Sequence, residues 1–257
     1  MKKWIVPTIL AFLLFASVSH ADIVIMSRTS FAIAGAFAGS NGATRTESED
    51  STLEDLTGSF AFNQVSKAEV FEDDTFSDGH ARSTSSINVT DDVNLSAGML
   101  NITAARSSTI RSEVFTGPAS ATSRATHNLT VRFEVVDEDA VFQLTGDFSP
   151  GPNGNNFNNT GRIRLTRPGT GLHQFNVTDA GSLNETGTLL AGRVYELQIR
   201  MGDGLMTTTN LPSLTDSSTL NMQFSVTSLS AVPEPAALPI ALLSGCTLLI
   251  RRRSTLV

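Results

Sequence analysis

Residues 193–200, Arg-Val-Tyr-Glu-Leu-Gln-Ile-Arg, give the clearest indication of the fold. Tyr195, Leu197 and Ile199 alternate with polar or smaller side chains, which is the period of a half-buried β-strand. Because the face formed by these three side chains is uniformly apolar, we expect it to point into a core. Gly192 just before the stretch supplies a turn.

The same alternation recurs on both sides of this stretch. Towards the C-terminal half it predicts strands at 130–135, 141–144, 162–166, 173–177 and 218–229, and in the N-terminal half at 30–37, 59–71, 86–93, 99–105 and 109–115. The polar and acidic residues 40–55 are interpreted as a loop or a short helix. Short strands separated by turns about every 8 to 12 residues are typical of an antiparallel β-sandwich.

The predicted fold class is therefore all-β, an antiparallel β-sandwich. Residues 187–202, GTLLAGRVYELQIRMG, resemble a stretch of secreted bacterial jelly-roll-like sandwiches, which implies a jelly-roll-like arrangement. We expect one elongated body over residues 22–231, with two smaller domains divided near Gly117 and Pro118 as the alternative. The predicted core comprises Phe133, Phe142, Leu144, Ile163, Leu165, Phe175, Val194, Leu197, Ile199, Phe224 and Val226.

The N-terminus has the three parts of a secretory signal peptide. Two lysines are followed by an almost wholly apolar run over residues 4–15, and Ser19 and Ala21 place small residues at the −3 and −1 positions of a cleavage site. We expect cleavage after Ala21, so that residues 1–21 are removed and Asp22 is the first mature residue. An uncleaved anchor is the alternative, but the apolar run is short for a membrane-spanning helix.

The C-terminus carries an apolar run, residues 236–250, that ends at Arg251, Arg252 and Arg253. As a transmembrane helix this run would be about 22 Å long, against a bilayer core of about 30 Å. We therefore expect transient membrane insertion with the arginines on the cytoplasmic side. Together with the signal peptide this predicts export of the body across the membrane, with the chain held there briefly by its C-terminal run.

Val232, Pro233, Glu234 and Pro235 precede that run, and the order of motif, apolar run and arginine cluster resembles the PEP-CTERM sorting signal. The resemblance covers the tail, residues 232–257, and the pairing with a signal peptide. It implies recognition by an exosortase, a membrane-embedded transpeptidase-like cysteine protease, and cleavage near the Pro-Glu-Pro motif. It further implies delivery to the cell surface or extracellular matrix and a link to exopolysaccharide and biofilm. An ordinary single-pass tail is the alternative.

The body between the two signals is acidic and contains no cysteine. Its one Lys and 12 Arg are set against 24 Asp and Glu, so its net charge is 13 − 24 = −11. This charge disfavours nucleic acid and anionic membrane surfaces as partners. Cys246 lies in the tail, which excludes a disulfide, a cysteine metal site and thiol catalysis in the body. Tyr195 is its only tyrosine and Trp4 lies in the signal peptide, so we do not expect an aromatic sugar platform, and a shallow patch of Phe residues is the alternative.

Clustered carboxylates suggest one candidate metal site. Among the acidic segments 47–50, 72–78 and 137–139, the second is the best candidate for Ca²⁺, because Asp73, Asp74 and Asp78 would converge around a loop. None of the segments has EF-hand spacing, and solvated turn charge is the alternative for each. No other cofactor is expected.

No catalytic residue is assigned. His80, His127 and His173 are far apart and show no zinc-binding pattern. The sequence has no Gly-x-Ser-x-Gly elbow, phosphate loop or dinucleotide fingerprint. Glycosidase chemistry needs two facing carboxylates, and no pair stands out from the many acidic residues.

These observations favour a non-catalytic secreted or cell-surface β-sandwich protein with a structural or adhesive role in the envelope or exopolysaccharide matrix. Its expected partners are the secretion machinery, an exosortase and the exopolysaccharide. A carbohydrate-binding module that uses a polar, Ca²⁺-assisted face is the first alternative. A secreted hydrolase is the second.

Overall fold

The computed structural model describes residues 22–40, 43–72, 79–96, 98–151, 160–208 and 213–229. The described residues are almost entirely β-strand, and every strand pairing is antiparallel. They form two six-stranded sheets in a sandwich-like arrangement. The prediction of an antiparallel all-β protein is thereby confirmed.

The strands follow the chain as β1 (Ile23–Ser40), β2 (Ala43–Leu53), β3 (Gly58–Glu72), β4 (Gly79–Ser96), β5 (Met99–Thr116), β6 (Ala119–Val135), β7 (Ala140–Ser149), β8 (Thr160–Arg167), β9 (Leu172–Val177), β10 (Gly181–Leu189), β11 (Arg193–Thr208) and β12 (Ser213–Ser228). Sheet A has the order β2-β1-β6-β11-β8-β9, and sheet B has the order β10-β7-β12-β5-β4-β3.

Both halves of the chain contribute strands to both sheets. In sheet A, β1 pairs with β6 over nearly its whole length, and in sheet B, β5 pairs with β12. Gly117 and Pro118 lie in the turn that takes the chain from β5 in sheet B to β6 in sheet A. With 18 residues each, β1, β4 and β5 would extend about 60 Å at roughly 3.3 Å per residue.

One end of the interior is filled by large apolar side chains. The Phe224 ring on β12 lies 6.1 Å from that of Phe142 and 6.2 Å from that of Phe133, between ring centroids. Tyr195 packs on Phe133, and its hydroxyl accepts a hydrogen bond from the Leu190 N–H at 2.8 Å. The inward orientation of Tyr195, Leu197 and Ile199 is confirmed, as is the burial of every predicted core residue except Val194, which is only partly buried.

The other end of the interior contains many more alanine and serine side chains. Ala34 of β1 is fully buried there, and the hydroxyl of Ser66 on β3 donates to its carbonyl across the sandwich at 3.1 Å. The Ser85 hydroxyl likewise donates to the Arg124 carbonyl of the opposite sheet at 2.6 Å. Small side chains therefore let the sheets approach closely enough for hydroxyl groups to bridge them.

Two strand predictions were wrong. Residues 40–55, expected to be a loop or short helix, contain β2, which pairs with β1 from Ser40↔Ala43 to Ser30↔Leu53. Charged residues are compatible with this strand because it lies at the edge of sheet A, with solvent on its free side. The two strands expected at 99–105 and 109–115 are one strand, β5, because the intervening Arg106 and Ser108 point inwards and have polar partners.

The helices expected at both ends of the chain, in residues 1–21 and 236–250, lie outside the described residues. Within the part of the chain that the structure describes, no helix has the length and apolar character needed to cross a membrane.

Candidate functional site

The sorting residues predicted from the sequence lie outside the described residues. This applies to Val232, Pro233, Glu234, Pro235, Arg251, Arg252 and Arg253, and to Ala21 at the expected cleavage site. Asp22 is the first described residue. It is exposed, and its carbonyl accepts a hydrogen bond from the Val136 N–H at 2.9 Å.

The candidate Ca²⁺ ligands Asp73, Asp74 and Asp78 also lie outside the described residues, in the connection between β3 and β4. Among the described residues, no group of three or more His, Cys, Asp or Glu side chains is placed to hold a metal ion. In the third acidic segment, Asp139 accepts a hydrogen bond from the Ala191 N–H at 2.8 Å. That carboxylate therefore ties two turns together.

A set of polar side chains is buried between the sheets, and the sequence did not predict it. His127 Nε2 on β6 lies 2.9 Å from Asp91 Oδ2 on β4, and both side chains are 0% exposed. Arg106 on β5 forms an ion pair with Asp203 on β11. A histidine–carboxylate pair is suited to proton transfer, but this one is sealed from solvent. Its position between the two sheets indicates a structural role.

An arginine cluster on the outer face of sheet A was also not predicted from the sequence. Arg162 on β8 is the cross-strand partner of Arg200 on β11, and Arg164 lies two residues along β8 on the same face. The intervening Ile163 and its partner Ile199 are buried in the core, so these arginines point away from it. The alternation of arginine with apolar residues at 162–165 was the signal that could have placed them there.

The three arginines of this cluster have few partners. Arg162 donates to Gln198 Oε1 at 3.4 Å, and the buried Arg164 Nε has no acceptor in the described part of the chain. Within the same residues none of the three forms an ion pair with a carboxylate. Burial, and then the charges of Arg164 and Arg200, lower the pKa of Arg162 below its usual value.

A groove runs from this cluster across β11 and β6, and we call it the arginine groove. Its volume is about 430 Å³, and it is lined by Thr122, Arg124, Thr126, Asn128, Arg200, Gly202 and Gly204, among others. Arg200 pairs with Asn128, and Arg124 lies four residues along β6, about 13 Å away at the usual strand rise. Gly202 and Gly204 project no side chain, so this stretch of the outer face is open.

On the far side of the arginine groove, the neighbouring strand β1 adds an apolar wall. Phe31 is the cross-strand partner of Asn128, and Ile33 is the partner of Thr126. Both side chains are partly exposed on the outer face. The groove thus combines guanidinium, hydroxyl and amide groups with apolar surface along one side, an arrangement suited to a polar polymer that carries negative charge.

Sheet B presents a second candidate surface, which we call the ring patch. The His80 ring stacks on Phe115 at 4.4 Å and meets Phe71 edge-on at 5.5 Å, between centroids. Phe71 is 67% exposed and Phe115 is 46% exposed. The Arg82 guanidinium carbon lies 5.3 Å from the centre of the Phe115 ring, and His80 Nε2 donates to Glu69 at 2.8 Å.

Comparisons with known proteins give little similarity. No family model matches the chain, and no curated protein matches it. A solved structure, the GH31 α-xylosidase from Xanthomonas citri, aligns with 63% of this chain at 6% identity and a TM-score of 0.21. The aligned part spans 32% of that enzyme's chain.

Proposed function

We propose that this chain is a non-catalytic protein of the cell surface or extracellular matrix, with an adhesive or structural role. The arginine groove carries this proposal, because it is an open surface whose arginines have no carboxylate partner among the described residues. Such a surface is suited to holding an extracellular polymer.

The two ends of the sequence support the location. The signal peptide, cleaved between Ala21 and Asp22, exports the body, and residues 236–250 hold the chain briefly in the inner membrane. An exosortase then cleaves near Pro233 to Pro235 and removes Arg251 to Arg253. The proposal includes a single secreted body over residues 22–231, a jelly-roll-like relation of its sheets, and a helix at each end of the precursor.

The sandwich interior supports a structural role. Hydrogen bonds from serine hydroxyls and the Arg106–Asp203 ion pair join the two sheets where the apolar side chains are small. A body tied together in this way presents its outer faces on a fixed frame. A polymer bound on one face would then be held at a defined distance from the other.

The ring patch favours a second candidate function, a carbohydrate-binding module that uses sheet B. Exposed rings of Phe71 and Phe115 are flat apolar surfaces of the kind that stack on sugar rings. The candidate Ca²⁺ ligands Asp73, Asp74 and Asp78 follow Phe71 closely in the sequence. Binding to a neutral glycan that EDTA abolishes would favour this function over the first.

The test of location compares the full chain with a Glu234→Ala/Pro235→Ala variant in cells that have the exosortase. The unaltered chain is expected in the matrix or outer surface, and the variant in the inner-membrane fraction. A Glu185→Ala/Pro168→Ala variant, altered in the body, controls for the substitutions and is expected to follow the unaltered chain. Equal distribution of all three would contradict the sorting proposal, and polysaccharide turnover by the purified chain would contradict a non-catalytic role.

A further inference from the structure

The arginines of the arginine groove have no carboxylate partner among the described residues. Arg162 and Arg200 are directly paired across two strands, and like charges in such a position repel. Three other arginines do have carboxylate partners, because Arg82 and Arg111 share Glu113 and Arg106 is paired with Asp203. A ligand that brings negative charge to Arg162 and Arg200 would relieve this repulsion.

The dimensions of the groove favour an extended ligand. Positive charge lies at both ends, at Arg200 and at Arg124, about 13 Å apart along the strands. Between these ends the outward-facing side chains are those of Thr126 and Asn128, which are uncharged, and Thr126 lies opposite Gly202. Asp203 also lines this stretch, but its carboxylate is buried and paired with Arg106. A linear chain with spaced negative charges and hydroxyl groups between them matches this order.

Charge and chemistry select among the extended polyanions. A guanidinium group binds the two oxygens of a carboxylate through parallel hydrogen bonds, and threonine and asparagine side chains suit sugar hydroxyl groups. Duplex DNA carries one charge per about 1.7 Å, and the net charge of −11 derived above for the body opposes so dense a polyanion. The apolar wall formed by Phe31 and Ile33 is compatible with the less polar face of a sugar ring.

We infer that the arginine groove binds a carboxylated polysaccharide, a chain of uronic acid residues, whose carboxylates pair with Arg162 and Arg200 at one end and with Arg124 at the other. This deepens the proposed function and rests on it for the place where the polymer is met. Binding itself depends only on the groove.

The test measures binding of the full chain, purified from whichever cell fraction holds it, to polygalacturonate by affinity electrophoresis. The Arg162→Gln/Arg200→Gln variant is expected to bind at least 10-fold more weakly. The control variant Arg45→Gln/Arg193→Gln removes the same charge from exposed positions outside the groove and is expected to bind like the unaltered chain. Methyl-esterified polygalacturonate keeps the sugar backbone without the charge, and it is expected not to bind.

Two further variants keep the result interpretable. Arg162→Lys/Arg200→Lys retains the positive charge but lacks the planar guanidinium group that binds both carboxylate oxygens, and it is expected to bind with intermediate affinity. Thr126→Glu places a carboxylate beside Gly202 and is expected to weaken binding even if the glutamine variant fails to fold. Thermal unfolding of each variant shows whether lost binding reflects lost structure.

Several outcomes would overturn the inference. Equal binding by the glutamine and control variants would show general attraction, and equal binding of the esterified polymer would show that carboxylates are not recognised. Tighter, arginine-dependent binding of dextran sulfate or duplex DNA would assign the groove to another ligand. If the chain reaches the matrix but the groove variants bind normally, the inference fails and the proposed location stands. If the groove binds but the chain stays in the inner membrane, the reverse holds.

Discussion

Arg106 and Asp203 form an ion pair that joins the two sheets through the middle of the sandwich. Arg106 Nη2 on β5 lies 2.7 Å from Asp203 Oδ2 on β11, and the two side chains are 0% and 2% exposed. Ser218 also donates to Asp203 Oδ2 at 2.7 Å, and Ser108 contacts the same oxygen. Because both charges are removed from water, the loss of either leaves the other without compensation.

We therefore expect Asp203→Ala to lower the free energy of unfolding by about 3 to 5 kcal/mol, the usual cost of leaving a buried charge without its partner. The double variant Arg106→Met/Asp203→Leu removes both charges and should lose less than Asp203→Ala alone. Urea denaturation of the three chains measures the difference. A double variant that is less stable than the single one would show that Arg106 does not need Asp203 as its compensating charge.

Glu113 should make stability depend on pH. Burial raises its pKa, but hydrogen bonds and charge from Arg82 and Arg111 outweigh burial, so the net pKa lies below the usual 4.5. A depressed carboxyl pKa contributes stability that is present above the unfolded-state pKa and is lost as pH falls through the folded-state value. We expect Glu113→Gln to lower the free energy of unfolding by about 1 to 3 kcal/mol at pH 7 and much less at pH 3.

The control for this prediction is Glu49→Gln, because Glu49 is exposed on the edge strand β2 and forms no ion pair among the described residues. Its effect should be small at both pH values. Chemical denaturation at pH 3, 5 and 7 gives the comparison, and a Glu113→Gln effect that grows as pH falls would refute the assignment.

Gly146 should be intolerant of any side chain. Its φ is +134°, and a Cβ added there would collide with the Asn221 carbonyl oxygen and lie 2.8 Å from Met222 Cα on the neighbouring strand. Gly169 is the matched control, since its φ of +79° is also positive but a Cβ would meet open space. We expect Gly169→Ala to cost about 1 kcal/mol from backbone strain and Gly146→Ala clearly more. Equal shifts in thermal midpoint would show that the close contact relaxes without cost.

The apolar end of the core should be most sensitive at Phe224. Its ring contacts Phe133, Phe142 and Phe175, and it is fully buried. We expect Phe224→Ala to lower the free energy of unfolding by about 3 to 5 kcal/mol. Phe71→Ala removes an exposed ring of the same size and should change stability by less than about 0.5 kcal/mol. A similar loss for both would place Phe71 in a stabilising contact.

The sequence predicts strands well where apolar and polar residues alternate, as at 193–200. There the side chains alternate with the period of a β-strand and one face is uniformly apolar, so both features predict the same half-buried strand. The prediction failed at β2, because this strand is held by hairpin pairing with β1 and its own side chains show no apolar alternation. It also failed in β5. From the sequence alone Arg106 is expected at the surface, because its partner Asp203 lies 97 positions further along the chain.

The candidate site could not be predicted without knowing the strand register. Arginines at 162, 164 and 200 are unremarkable in the sequence, and only the pairing of β8 with β11 brings them together. The open floor of the groove similarly depends on Gly202 facing Thr126 of another strand. The sorting signals at the two ends are local in the sequence, and they stay predictions.

The mass of the mature C-terminus shows whether the secreted body is sorted to the cell surface or matrix. Chain recovered from each cell fraction is digested, and its last peptide is identified by mass spectrometry. We expect a terminus near Pro233 to Pro235, without Arg251 to Arg253, in the surface or matrix fraction. A C-terminal peptide that retains the three arginines, found in the membrane fraction alone, would contradict it.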